Sequence, residues 1–157
     1  MLYLAVKFLH IIGACLLLGT GAGIAFFMLL AHLTADARIV AAVARTVVIA
    51  DFLFTATSVA AQPVTGVLLA RLLGYPIWSG WIMLSVVLYL TAGAFWLPVI
   101  WIQIRMRNLA AAAVREGRPL PTAYYKLFRV WFACGIPAFA AVLGTIWLMI
   151  AKPLIGP

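Results

Sequence analysis

Four stretches of the chain, residues 3–31, 46–70, 76–104 and 130–151, are each long and apolar enough to cross a bilayer as a helix, which takes about 20 such residues. In hydrocarbon every backbone N–H and C=O must be satisfied within the protein, so runs of this length fold as helices. The expected fold is all-α: a polytopic membrane protein, a four-transmembrane-helix bundle that occupies residues 1–157 as a single domain. Composition agrees, because 68% of the residues are hydrophobic and 9% charged, far from the balance of a soluble domain.

Local signals refine the edges. Thr34 or Asp36 caps a helix that leads into the second span. The third span continues as a helix through 105–114 until Gly117, Pro119 and Pro121 stop it. The alanine run 110–113 reads as helix surface. The segment Ile12-Gly13-Ala14-Cys15 loosely resembles a lipoprotein cleavage box, but Lys7 comes too late and the apolar run continues too far for a leader, so a span is expected there. Cys15 and Cys134 both fall inside spans and are expected as small buried residues at helix contacts.

Lys and Arg set the expected orientation. Eight of them (Arg38, Arg45, Arg105, Arg107, Arg115, Arg118, Lys126 and Arg129) lie in the first and third loops and their flanks, against three (Lys7, Arg71 and Lys152) on the other side. Cationic loops stay cytoplasmic, so both termini are expected on the non-cytoplasmic side of a bacterial inner (plasma) membrane, crossed several times. The net charge of +8 is carried at span ends, where headgroups and membrane potential account for it, and nucleic acid is not an expected partner. Tyr124 and Tyr125 near one face, and Trp78, Trp81 and Trp147 near the other, fit interfacial aromatic belts.

Inside the second span, Asp51, Thr55, Ser58, Gln62 and Thr65 recur at helical spacing and share one face. Lipid cannot satisfy that polar seam. It faces another helix, internal water or a polar ligand, and it serves either interhelical hydrogen bonding or a functional role that carries protons or flanks a cofactor. Pro63 is expected to kink the helix beside Gln62. Asp51 lies about 9 Å into the span from Arg45 at the usual rise per residue, and Arg129 at comparable depth is its expected ion-pair partner.

The first span carries His10 in a run from Phe8 to Ala31 without a charged side chain. Intramembrane titratable groups face the bundle interior and serve ions, protons or cofactors. His10 shares a stripe with Lys7, Ala14, Leu17, Gly21, Ile24 and Met28, with Gly13 adjacent. Slim residues beyond the imidazole suit a flat macrocycle against the helix, and equally suit helix packing through Gly19 and Gly23. The other histidine, His32, lies about 33 Å further along the helix, so the two cannot share one metal within a bundle. Zinc wants several ligands together, whereas one histidine holds haem iron. Met83 is the candidate second ligand, Gln62 a polar neighbour, and Lys7, Arg71 and Lys152 candidate propionate partners.

The stretches from Val6 to Gly13, Gly19 to Gly23, Phe26-Phe27-Met28 and Ala31-His32 resemble a bacterial family known only as predicted integral membrane proteins, a domain of unknown function. So do Ala50-Asp51, Gln62-Pro63-Val64-Thr65-Gly66, Trp96-Leu97-Pro98 and Arg105-Met106-Arg107. The resemblance implies the four-span fold and no activity. The first span also resembles, more distantly, the opening helix of HemJ-type protoporphyrinogen oxidases and CopD-like proteins, which implies haem b at His10. The aromatic and Pro-Arg pattern and the intramembrane lysine of that family have no counterpart here.

The leading expectation is an inner-membrane haem b protein that moves electrons within or beside a membrane redox system, as a homo-oligomer or as a subunit of a larger complex. A dimer would supply His10 twice. The alternatives are a non-enzymatic accessory or small-solute membrane protein whose seam is packing or a pathway, and a porphyrin or quinone oxidase. No set of nucleophile, base and orienter is present, so no catalytic residue is assigned.

Overall fold

The structure, a computed structural model, describes residues 1–153. The first crossing is α1, Leu2–Leu33. The second runs Ala37–Leu72 as α2 (Ala37–Ala50), one π turn (Asp51–Thr55) and α3 (Ala56–Leu72). α4, Gly80–Arg115, and α5, Thr122–Ala151, complete the bundle. All four crossings are long and apolar enough to span a membrane, and no strand is present among the described residues. The start of α1 and the end of α5 share one face, the terminal face, while the α1–α2 and α4–α5 connections share the loop face.

Capping explains where the crossings end. Asp36 starts α2, its Oδ1 accepting from the Arg38 N–H at 2.7 Å and the Ile39 N–H at 3.4 Å. α3 and α4 each end on a glycine with positive φ, Gly74 at 69° and Gly117 at 62°. In both, the next residue reaches back around the last turn: Tyr75 N–H to Ala70 O at 2.9 Å, Arg118 N–H to Ala113 O at 3.0 Å. This geometry closes the helix carbonyls only where a left-handed residue follows, hence glycine. α4 begins at Gly80 and not at 76, because the Ser79 backbone N–H and hydroxyl both turn back onto Pro76 O, at 3.0 and 2.7 Å.

α5 begins at Thr122, well before the apolar run at 130. Its first turns are mixed in polarity, yet they bury Tyr124 and Phe128 completely or nearly so. Tyr124 is therefore a core residue and not a member of an interfacial belt. The alanine run is corrected too: Ala110 and Ala113 are buried, their small side chains letting neighbouring helices close on α4. Cys15 is exposed on α1, and Cys134 is half-buried.

The apolar core lies toward the loop face. Ile24, Met28 and Ala31 of α1, Val40, Ala44 and Val47 of α2, Val99, Ile102 and Met106 of α4, and Phe128 and Trp131 of α5 pack in one cluster. α4 lies along α5, while α2 lies against both α1 and α4. Past the π turn the crossing changes company: α3 stays on α1, and among the described residues it hardly touches α4 or α5.

Pro63 shows how the crossing stays intact. Proline has no N–H, so the carbonyl four residues earlier, that of Val59, loses its helical donor. The Tyr89 hydroxyl of α4 donates to Val59 O at 2.8 Å. In lipid such an orphan has to be satisfied from a neighbouring helix. Tyr89→Phe should cost about 1–2 kcal/mol in a detergent unfolding titration, and the penalty should largely disappear in a Pro63→Ala background, where the helix supplies the donor itself.

A candidate functional site around His10

α1 turns a buried edge of Val6, His10 and Gly13 toward α3. α3 answers with Gln62, Thr65 and Gly66. The His10 Nδ1 lies 2.8 Å from Thr65 Oγ1, and Gln62 Nε2 donates to the His10 carbonyl at 2.9 Å. Gly66 passes beneath the ring, so that a Cβ there would stand 3.4 Å from His10 Cε1. Gly13 leaves room for the Gln62 amide: a Cβ at residue 13 would collide with Gln62 Nε2.

The hydrogen-bond network assigns the imidazole's protons. Thr65 Oγ1 donates to Ala61 O at 2.8 Å, with Gln62 O at 3.2 Å. A hydroxyl has one proton, and a helical threonine spends it on the carbonyl four residues back. His10 is then the donor to Thr65, its proton sits on Nδ1, and Nε2 keeps its lone pair. His10 is nine-tenths buried, so two bonds from one face of α3 hold the residue: one on the ring, one on the main chain.

The seam of the second crossing faces inward as its spacing predicts. Asp51, Thr55, Ser58 and Gln62 are buried, and Thr65 is half-buried. Gln62 and Thr65 meet α1. Asp51 meets α4: Trp96 Nε1 donates to its Oδ1 at 3.2 Å. The expected Asp51–Arg129 ion pair is not formed; among the described residues the salt bridge present joins Arg118 and Glu116. Arg129 is exposed, and depth along the membrane, which made it a candidate, says nothing about which way a side chain faces.

The remaining predicted site residues stand apart from the imidazole. Lys7 is exposed and lies over the Tyr3 ring at 5.5 Å. Arg71 is exposed near the end of α3. Met83 is exposed on α4, whose neighbours are chiefly α5 and α2. Lys152 contacts the Tyr75 hydroxyl at 3.3 Å and lies over that ring. No added Cβ at Gly19 or Gly21 would meet an atom within 4 Å, so neither admits a close neighbour among the described residues. Among the described residues, no three His, Cys, Asp or Glu side chains gather as a metal site.

Several polar contacts were not foreseen. Trp131 Nε1 donates to Gln103 Oε1 at 2.8 Å between α5 and α4, leaving the buried Gln103 Nε2 without a partner. Near the loop face His32 stacks on Phe128 at 3.6 Å, with Tyr124 OH 3.4 Å from its Nδ1. It is held at the far end of α1 from His10, as the helix length requires. Tyr89 left a signal in the sequence, a hydroxyl at mid-span when Pro63 must free a carbonyl. Trp96 left none.

Four apolar crossings with their polar seam turned to the interior define an α-helical integral membrane protein embedded in the lipid bilayer. The chain belongs to the family described as predicted integral membrane protein, DUF2269, which it matches over residues 4–153. No curated protein and no solved structure matches it.

Gly13→Ala and Gln62→Ala should each cost about 1 kcal/mol in a detergent unfolding titration, because each removes the same bond to the His10 carbonyl. The double variant should cost little more than either alone, whereas independent effects would add.

Proposed function

We propose that the chain is a haem b protein of the bacterial inner membrane, in which His10 Nε2 would hold the haem iron and electron transfer is the task. The observation that carries this reading is the committed proton of Thr65, which leaves Nε2 of a buried, immobilised imidazole as a lone-pair donor. Ligating histidines are oriented in this way, through a hydrogen bond from the other ring nitrogen. The donor set fits haem, which takes one histidine from a helix, and does not fit a metal that needs several protein ligands.

Haem would supply one-electron chemistry. The chain's own part is to present Nε2 and to fix the ring through Thr65 and the backbone through Gln62. Lys7 and Arg71 are the cations toward the terminal face for propionates. Met83, exposed on α4 and apart from the imidazole, would not hold the haem with His10 within one chain, and His10 of a second copy would be the candidate second ligand. The eight cations at or near the loop face support a cytoplasmic loop side, with both termini across the membrane.

A second reading, a non-enzymatic accessory or small-solute membrane protein with a structural seam, is favoured by one observation. Gln62 and Asp51 already bond to neighbouring helices of the same chain.

Expressed with haem available and purified, the protein should show a b-type band in its reduced-minus-oxidised spectrum. His10→Ala should lose the band. Thr65→Val should keep it with a shifted midpoint potential, because the hydrogen bond on Nδ1 sets ligand basicity. A colourless protein, or a band indifferent to His10→Ala, would refute the haem reading and leave the structural one.

A further inference from the structure

The chain has three side-chain carboxylates, and two have evident structural employment. Asp36 caps α2. Glu116 follows α4 and pairs with Arg118. Asp51 alone lies inside a crossing, 5% exposed, with one oxygen bonded to Trp96. At the usual rise it is about 16 Å along the helix from Gln62, so it belongs to a different site from His10.

Among the described residues no cation neutralises it. On its own crossing Arg38, Arg45 and Arg71 are exposed toward the two ends. α1, which packs on the π turn, has no charged residue between His10 and His32, and Cys15 is its one titratable group in that interval. α4 contributes Trp96 and the Tyr89 hydroxyl, which is committed to Val59 O, with Arg105 and Arg107 further toward the loop face. On α5, Arg129 is exposed and Cys134 half-buried. None of these cations forms an ion pair with Asp51.

The backbone is irregular at the same place. Ala56 N–H reaches back to Asp51 O, the five-residue step of a π turn. Such turns cluster at functional sites. Thr55 closes the turn, one helical turn on from Asp51, and its hydroxyl is buried without a hydrogen-bond partner. A hydroxyl with an uncommitted proton and free lone pairs thus stands one turn from a carboxyl group lacking a countercharge.

We infer that Asp51 is a reversible proton-binding site within the membrane, with Trp96 and Thr55 as its positioning residues. Uptake of one H⁺ converts –COO⁻ to –COOH and removes the uncompensated charge; the Thr55 hydroxyl suits both states, because it can donate to the carboxylate and accept from the acid. Release reverses the change. The single carboxylate and neutral neighbours suit a proton and not a multivalent ion. The inference does not depend on what His10 binds.

Dicyclohexylcarbodiimide partitions into lipid and captures a carboxylic acid. The acid's proton moves to a carbodiimide nitrogen, the carboxylate oxygen bonds the central carbon, and acyl migration gives a stable N-acylurea. The full-length protein in phosphatidylcholine vesicles should carry one such adduct, mapped to Asp51 by peptide mass spectrometry. Labelling should fall about tenfold per pH unit once past its midpoint, and sodium at constant ionic strength should not protect. Thr55→Val and Trp96→Phe should keep the adduct and shift that midpoint, which loss of packing alone would not do in a protein that still unfolds cooperatively. Asp51→Asn should abolish the adduct. No adduct on wild-type Asp51, a yield indifferent to pH, or protection by sodium would overturn the inference. The wild-type profile decides this even if Asp51→Asn fails to fold.

Discussion

Hydrocarbon offers no hydrogen-bond partner, so a polar atom carried into it has to find one on another helix. Three such demands decide how this chain is arranged. Pro63 frees the Val59 carbonyl, and Tyr89 of α4 supplies the donor. Asp51 draws Trp96 from the same helix. Gln62 and Thr65 fix α1 by its His10 carbonyl and imidazole. Lipid tails are as apolar as Leu or Ile, so apolar faces alone set the rotation of a helix only weakly. Each interhelical bond contributes on average about 0.6 kcal/mol. Together they choose one rotation for each crossing out of many that would bury similar apolar area.

The two halves of the bundle solve different problems. Toward the loop face, close-packed Val, Ile, Met and Ala side chains with Phe128 and Trp131 fill the space among α1, α2, α4 and α5. Toward the terminal face, α3 leans on α1 through glycine and polar side chains, away from α4. The division falls at the π turn, where the second crossing trades one neighbour for another. Small residues matter in that half for what they admit: Gly13 admits an amide, and Gly66 admits a ring.

The number of crossings, the inward face of the seam, the Asp36 cap and the glycine stop after α4 were legible in the sequence. Each is a periodicity or a single-residue conformational preference, which a sequence displays without knowledge of its neighbours in space. Partner identities were less legible. Depth can be counted along a helix, and it brought Arg129 level with Asp51, but azimuth cannot be read the same way and Trp96 holds that place. The seam's contact with His10 was anticipated through Gln62, yet Gln62 binds the main chain and Thr65 meets the ring. Tyr124 and the alanines at 110 and 113 were misplaced at the surface for a common reason. Apolar-run length ends a span where charges begin, while α4 and α5 continue packing beyond that point.

The uneven placement of the core has a mechanical consequence. A bundle cemented by apolar contacts at one end, and tied at the other by a few directional bonds such as Tyr89 to Val59, behaves as tongs with a rigid pivot. Separation of α3 from α4 is resisted by bonds that break singly, while the pivot resists as a cooperative unit. Opening of the bundle would therefore start between α3 and α4 at the terminal face, with α1 and α3, tied together at His10, moving as one arm.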